Sequence, residues 1–139
     1  MSSQKSVKVI FDTNIWISFL IGKQLQSIKD LIVNEQITIV LNDQLINEIV
    51  LVTQRPKLQK YFSQQKVIEL LDFLNIIGHT FHTKATHSFL KDPKDDFLLD
   101  LIDASKADFL VTGDKDLTEL RNFKTARILS PAEFEIEIG

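Results

Sequence analysis

The sequence contains no cysteine, only four glycines and three prolines, and no long apolar run. Without cysteine the chain can have no disulfide bond, thiolate zinc site or cysteine nucleophile, so any metal ion must be bound through oxygen or imidazole. The scarcity of glycine and proline argues against long linkers. The first apolar run is about five residues long, far short of the roughly 20 that cross a bilayer. We therefore expect a cytoplasmic protein that does not enter a membrane.

The rest of the composition is that of an ordinary globular domain. Apolar residues make up 44% of the 139 residues and charged residues 25%, which is enough to bury a full core. We expect one domain over residues 1–139, with residues 1–5 flexible. The net charge of −3 excludes a broadly basic surface. It does not exclude nucleic acid binding, because affinity depends on local phosphate contacts.

One stretch near the start has the pattern of a buried strand that ends in an acid. Residues 7–11 are apolar except for Lys8, which is typical of a strand covered on both faces in the middle of a sheet. Asp12 follows at once, and the spacing of apolar residues over 14–21 is helical. Asp12 is thus expected at a strand-to-helix turn, the position where open α/β folds bind ligands.

The remaining apolar patterns predict alternating strands and helices. Helices are predicted over 14–21, 24–33, 44–53, 63–75 and 95–106, with a short helix after 116 and a terminal helical turn opening at Ser130 and Pro131. Strands are predicted over 7–11, 37–41, 108–112 and 127–129, with a weak edge strand within 76–83. This alternation favours a three-layer α/β/α sandwich around a central parallel sheet of about five strands.

Several acidic residues are predicted to meet at one edge of that sheet. Asp12 follows the first strand, Glu48 lies in the helix after the second strand, Asp96 begins the helix after a polar loop, and Asp114 and Asp116 follow the strand that ends at 112. Short right-handed connections place these positions on the same edge. Any one of them alone would be read as a turn or helix-cap residue, and the coincidence of all of them favours a site.

Two further acids have a less functional interpretation. Asp96, Asp100 and Asp103 form a row at helical spacing, which is repulsive without counter-charge. We expect Asp100 and Asp103 to be exposed to solvent, whereas Asp96 lies nearest the positive end of the helix dipole. Asp95 is interpreted as a helix cap. Glu48 borders the apolar stripe of the helix predicted over 44–53, so it does not lie in the middle of the solvent-exposed face of that helix.

A cluster of carboxylates without cysteine or organised histidine matches Mg²⁺ or Mn²⁺ better than zinc. Clustered carboxylates raise one another's pKa unless a cation neutralises them. Such an ion lowers the pKa of a bound water and offsets charge on a leaving oxygen. The pattern therefore predicts metal-assisted hydrolysis of a phosphodiester, with one or two ions.

The same residues resemble the PIN-domain family of metal-dependent ribonucleases. The resemblance rests on Phe-Asp-Thr-Asn at 11–14, the helix with Glu48, Asp-Pro-Lys-Asp-Asp at 92–96 and Leu-Val-Thr-Gly-Asp-Lys-Asp at 110–116, and it extends through essentially the whole chain. The chain is similar in particular to prokaryotic PIN proteins that are toxins of toxin-antitoxin pairs. The resemblance implies a parallel sheet flanked by helices, an acidic pocket holding Mg²⁺ or Mn²⁺, and cleavage of RNA.

The resemblance also assigns roles to single residues. Asp12, Glu48, Asp96 and Asp114 match the catalytic acids of the family, with Asp12, Asp96 and Asp114 as metal ligands and Asp116 as an additional candidate ligand. Asn14 and Thr112 match supporting polar residues of the pocket. The resemblance further implies a homodimer and an antitoxin protein that blocks the pocket.

Other residues are interpreted with alternatives. His79 and His82 are expected on the surface, and Trp16 in the core. The cationic cluster of Arg55, Lys57 and Lys60 is either a solvated turn or a contact for the RNA backbone, and Lys115 is expected to meet a carboxylate or a phosphate. Two other functions remain open. One is a PIN-fold module that binds RNA or protein without cutting, and the other is a structure-specific DNA nuclease, although the chain has no room for an inserted helical arch.

Overall fold

A six-stranded sheet organises the part of the chain that the structure, a computed structural model, describes, which is residues 6–22, 25–83 and 96–138. The strand order is β3-β2-β1-β4-β6-β5. The strands are β1 Val7–Phe11, β2 Ile37–Leu41, β3 His79–Thr80, β4 Phe109–Val111, β5 Asn122–Phe123 and β6 Ala126–Leu129. The neighbouring strands from β3 across to β6 pair in parallel, and β5 pairs with β6 in the antiparallel sense. The predicted parallel sheet is therefore confirmed, with β5 as an antiparallel edge that the sequence pattern did not reveal.

The helices flank this sheet. They are α1 Thr13–Gly22, α2 Leu25–Val33, α3 Asp43–Thr53, α4 Gln64–Ile77, α5 Asp96–Ser105, α6 Lys115–Thr118 and α7 Pro131–Ile138, and a 3₁₀ turn spans Pro56–Leu58. In β1, successive residues Val9, Ile10 and Phe11 are all buried. Because successive strand residues point to opposite faces, helices must cover both faces of the sheet. The predicted α/β sandwich is confirmed.

The predicted elements agree with the structure except at a few ends. The edge strand predicted within 76–83 is only two residues long, because α4 continues to Ile77 and ends at Gly78. A side chain at Gly78 would lie 2.3 Å from Cδ1 of Leu41 and 2.6 Å from the carbonyl oxygen of Leu74. Only glycine therefore allows the chain to turn from α4 into β3 at this separation.

The helix starts are fixed by side-chain caps. Asn42 accepts a hydrogen bond from the backbone N–H of Leu45 at the start of α3, and Ser63 accepts one from Lys66 at the start of α4. At α7, the N–H of Glu133 donates to the hydroxyl of Ser130 while the Glu133 carboxylate accepts from the N–H of Ser130. This reciprocal capping box lowers the pKa of the exposed Glu133 carboxyl.

Aromatic side chains form the core beneath the start of α1. Trp16 is fully buried and makes edge-to-face contacts with Phe11 and Phe19, with ring centroids 5.3 and 5.6 Å apart. Phe134 of α7 packs on Phe11 in the same way. The expectation that Trp16 belongs to the core is confirmed, and α1 is thus anchored to β1 immediately after Asp12.

The acidic row of α5 behaves differently from the expectation. Asp100 is only 5% exposed, so the prediction of solvent exposure is wrong for this residue. Residues 98–102 of α5 are all buried, because the helix packs against α3 and contributes its apolar side chains to the hydrophobic core. Asp103 is partly exposed, and Lys106 and Lys124 lie 3.5 and 3.9 Å from its carboxylate. These lysines supply counter-charge for Asp103.

The two described histidines, His79 and His82, are exposed as expected, and His82 lies 3.9 Å from the carboxylate of Asp43. His87 and the polar loop predicted over 86–94 lie outside the described residues. None of the helices in the described ranges is long and apolar enough to span a membrane.

Candidate active site

Asp12 stands at the point where β1, β4 and α1 meet. Its backbone N–H donates to the carbonyl of Val111, continuing the ladder between the strands, and its carbonyl accepts from the N–H groups of Ile15 and Trp16 as α1 begins. Because Phe11 pairs with Val111, the next residues along both strands, Asp12 and Thr112, lie side by side. The strand register therefore fixes where this acid projects.

The Asp12 carboxylate is held at both oxygens. Oδ1 accepts a hydrogen bond of 3.1 Å from the backbone N–H of Ile15, and Oδ2 accepts one from the Thr112 hydroxyl. Thr112 is fully buried and Asp12 is 8% exposed. The carboxylate thus has one fixed orientation, set by the first turn of α1 on one side and by the end of β4 on the other.

Thr112 also connects Asp12 to the second acid of the site. Its hydroxyl oxygen accepts a hydrogen bond of 3.1 Å from the backbone N–H of Asp114. The Asp114 side chain in turn caps α6, since its Oδ1 accepts from the N–H of Asp116 at 2.9 Å. Asp12, Thr112 and Asp114 therefore form one connected chain of hydrogen bonds at the carboxyl edge of the sheet.

A small pocket brings these acids together with Glu48. It is lined by Asp12, Thr13, Asn14, Glu48, Phe97, Leu98 and Asp114. Glu48 reaches it from α3, and it is half-buried, as expected for a residue bordering the apolar stripe of that helix. Three of the four predicted catalytic acids thus line one pocket.

The fourth predicted acid, Asp96, is the first residue of α5. Its side chain is outside what the structure describes, as are Asp92, Pro93, Lys94 and Asp95. The residues directly after it, Phe97 and Leu98, line the acidic pocket. The first turn of α5 is therefore part of the pocket wall.

The electrostatics of the pocket are dominated by negative charge. Burial raises the pKa of the Asp12 carboxyl above its ordinary value of 3.8, and the nearby Asp114 and Glu48 carboxylates raise it further, while the hydrogen bonds from Thr112 and Ile15 oppose the shift. Among the residues described, no ion pair involves Asp12, Glu48 or Asp114. A cation would relieve this repulsion.

The donor set fits a hard divalent cation. The pocket offers carboxylate oxygens, which are ligands that Mg²⁺ and Mn²⁺ prefer. Thr13 also lines the pocket, and its hydroxyl is buried without a hydrogen-bond partner in the described chain. Within 6–22, 25–83 and 96–138, however, no three acids or histidines are close enough together to hold a metal by themselves. Any complete ligand set therefore needs a further donor beyond Asp12, Glu48 and Asp114.

The remaining predicted residues lie at different distances from the pocket. Asn14 is exposed and lines its mouth, and Lys115 and the half-buried Asp116 follow Asp114 in α6. Arg55 and Lys57 are exposed just after α3. Helix α3 ends at Thr53, and both residues lie beyond that end.

Sequence reasoning missed two features of the pocket. Thr13 was not distinguished from an ordinary residue at a helix start, and only its unsatisfied hydroxyl marks it. The apolar wall formed by Phe97 and Leu98 could have been inferred from their position directly after Asp96, had the side of α5 that faces the pocket been known.

Comparison with known proteins agrees with this geometry. Residues 8–116 match the PIN domain family, a range that runs from β1 to α6 and includes Asp12, Glu48, Asp96 and Asp114. The chain belongs to the PIN domain family. PIN domains are typically nucleases. The protein is also 30% identical over 119 residues to the uncharacterized protein MJ1680 of Methanocaldococcus jannaschii, covering 84% of this chain and 76% of that protein.

Solved structures show the same PIN fold. The PIN domain endonuclease Utp24 superposes with a TM-score of 0.56 at 17% identity, covering 88% of this chain and 84% of that one. A chain of VapBC2 from Rickettsia felis, bound to a DNA fragment from their promoter, superposes with a TM-score of 0.57 at 15% identity, covering 89% and 98%. At these identities the likeness establishes the fold alone.

Proposed function

We propose that this protein is a single-domain, Mg²⁺- or Mn²⁺-dependent endoribonuclease. The observation that carries the proposal is the pocket at the carboxyl edge of the sheet, where Asp12, Glu48 and Asp114 gather negative charge without a cationic partner in the described residues. Membership of a family of nucleases supports the same chemistry.

The proposed ligands of the ion are Asp12, Asp96 and Asp114, with Asp116 as an additional donor and Glu48 completing the pocket. When bound, one or two such ions would lower the pKa of a water and offset charge on the scissile phosphate. Asp96 is the further donor that the described acids lack, because α5 begins at this residue beside the pocket wall.

The residues around the acids have supporting roles in this proposal. Thr112 orients Asp12 and, by donating to its carboxylate, favours the ionised form needed to bind a cation. The exposed Asn14 would contact a phosphate at the mouth of the pocket. Lys115, Arg55 and Lys57 would contact the RNA backbone outside the pocket.

The proposed biological context is a toxin-antitoxin pair in the cytoplasm. The structural likeness to a chain of VapBC2 from Rickettsia felis supports an antitoxin partner, and the likeness to the endonuclease Utp24 supports cleavage. In this proposal a partner protein blocks the acidic pocket, and the toxin is a homodimer.

Incubation of the purified protein with RNA tests the proposal. A panel of single-stranded and hairpin RNAs that covers all dinucleotide steps should be cleaved internally in Mg²⁺ or Mn²⁺, and EDTA should stop the reaction. Matched DNA strands should remain intact. Binding without metal-dependent cleavage of any RNA would instead favour the non-catalytic module, and cleavage of branched DNA alone would favour the DNA nuclease.

Substitution of Thr112 tests the proposed orientation of Asp12. Thr112→Val keeps the side-chain shape but removes the hydrogen bond to Asp12 and the acceptor for the Asp114 N–H. We expect RNA cleavage to fall about 10- to 100-fold, the usual cost of losing a group that orients a metal ligand. The hydrogen bond from Thr112 lowers the pKa of Asp12, so its loss should raise that pKa. The acidic limb of the pH profile of cleavage should therefore move to higher pH.

Thr112→Ser is the matched control, since it keeps the hydroxyl. It should retain most of the activity and the original pH profile. If Thr112→Val cleaves RNA at the parent rate with an unchanged profile, Thr112 does not position Asp12 for the reaction.

A further inference from the structure

A second cleft lies away from the acidic pocket, between α1, α2 and α4. It has a volume of about 330 Å³, and its apolar floor includes Phe19 of α1 and Phe73 of α4. Tyr61, from the segment before α4, lies at its side and is 51% exposed. Phe19 and Phe73 are half-buried, so Tyr61 is the aromatic side chain that the cleft presents most openly to solvent.

Lysines surround these aromatic rings. The ammonium group of Lys29 lies 5.2 Å from the centroid of Phe73, and that of Lys60 lies 5.2 Å from the centroid of Tyr61. Lys66 also lines the cleft, and its only acidic neighbour among the described lining residues is Glu69, at 3.4 Å in an exposed pair. The cleft and its border therefore combine the exposed Tyr61 ring and the half-buried Phe73 ring with Lys29, Lys60 and Lys66 against Glu69, although the whole chain has a net charge of −3.

Helix α1 contributes to both regions. Thr13 lines the pocket and Leu20 lines the cleft, and the two residues are about 10 Å apart along the helix axis. Both side chains are buried, so an extended strand that contacts both regions would pass over the exposed side of α1, where Asn14 and Ser18 lie.

We propose that this aromatic and basic cleft binds the single-stranded part of the RNA substrate next to the bond that is cut. Bases would stack on Tyr61 and Phe73 while Lys29, Lys60 and Lys66 contact phosphates. Stacking on aromatic side chains together with basic contacts is how single strands are bound without sequence preference. The inference rests on the proposed ribonuclease function and adds to it the location of a binding region outside the acidic pocket.

Binding of RNA in EDTA tests the cleft separately from cleavage. The probe is a fluorescently labelled, unstructured oligouridine, and the readout is its anisotropy as the full-length protein is added. Tyr61→Ala should weaken binding about five- to tenfold, at the lower end of what the loss of one stacked base costs. Lys29→Gln and Lys66→Gln should each reduce the slope of log affinity against log salt by about 0.7, as expected for one phosphate contact with a single strand.

Matched variants separate stacking from effects on the fold. Tyr61→Phe keeps the ring and should bind as the parent does. Lys124→Gln and Ile136→Ala change an exposed lysine and an exposed apolar side chain elsewhere, and they should leave both affinity and salt slope unchanged. Thermal unfolding monitors whether each variant is folded.

The outcomes distinguish this inference from the proposed activity. Weakened binding by Tyr61→Ala and the lysine variants supports the cleft even if no RNA is ever cleaved. Metal-dependent cleavage with unchanged RNA affinity in all three variants would overturn the cleft and leave the nuclease proposal intact. Equal losses in Tyr61→Phe and Tyr61→Ala would overturn stacking. A change only in self-association, measured by light scattering, would assign the cleft to contact between copies of the chain.

Discussion

Asp12→Asn is expected to abolish metal-dependent RNA cleavage while leaving the fold intact. Asparagine has the same shape, its Oδ1 can still accept from the N–H of Ile15, and its amide can donate to the Thr112 oxygen. It removes the negative charge that would bind a cation. Loss of a residue that only orients a metal ligand typically lowers activity about 10- to 100-fold. Asp12 is proposed as a ligand itself, so we expect cleavage to fall by more than about 100-fold.

The same substitution should raise stability in the absence of divalent ions. Burial and the neighbouring acids raise the pKa of Asp12 in the folded protein. The folded state therefore binds the Asp12 proton more tightly than the unfolded state does. The contribution of protonated Asp12 to the free energy of unfolding is complete at pH values below the pKa of the unfolded state. It is lost as pH rises through the higher pKa of the folded state. Asp12→Asn removes this loss, so its advantage in the free energy of unfolding should be greater at neutral pH than at acidic pH.

Urea unfolding with and without Mg²⁺ or Mn²⁺ measures this effect. The ion should stabilise the parent protein and have little effect on Asp12→Asn, because a ligand stabilises only the state that binds it. Asp72→Asn, an exposed change on α4, is the control and should behave as the parent in every assay. Full RNA cleavage by Asp12→Asn would rule out Asp12 as a metal ligand.

Trp16→Ala is expected to cause the largest loss of stability. The indole is fully buried and contacts the rings of Phe11 and Phe19. Removing a buried aromatic side chain typically lowers the free energy of unfolding by about 3 to 5 kcal/mol. Because Trp16 lies one helical turn after Asp12, the cavity would also loosen the start of α1 and lower cleavage in the fraction that remains folded.

Trp16→Phe should cost much less. The indole N–H is buried without a hydrogen-bond partner in the described residues, and a buried unpaired donor is itself destabilising. Its removal therefore offsets part of the lost packing. Chemical denaturation followed by circular dichroism gives both values. A loss under about 1 kcal/mol for Trp16→Ala, the size of an ordinary mutation, would contradict the central role of this side chain.

The sequence predicted the layout of the fold because its central strands have a strong pattern. Strand β1 was delimited correctly at 7–11, since a fully buried parallel strand is apolar along its whole length. The same logic placed Asp12 at the turn into α1. Strand β5 has only two residues, Asn122 and Phe123, and such a short edge strand has no periodicity to detect.

Burial of single acids was harder to predict than the positions of helices. Asp100 was expected to be exposed because neighbouring acids on a helix repel one another. That local rule does not include the packing of α5 against α3 and the hydrophobic core, which buries this part of the helix. Glu48 is half-buried, as its apolar neighbours on α3 indicate. The contact between Thr112 and Asp12 depends on strand register, which no local pattern fixes.

The described sheet ends in two-residue strands on both sides, β3 and β5. A strand this short offers too few free backbone groups for another chain to pair with. In recognition by strand addition, an extended segment of a partner pairs with the edge strand of a sheet. The two short edge strands of the described sheet provide few backbone groups for such pairing. A protein that binds the described part of the chain would therefore do so through side chains of its helices and connecting segments.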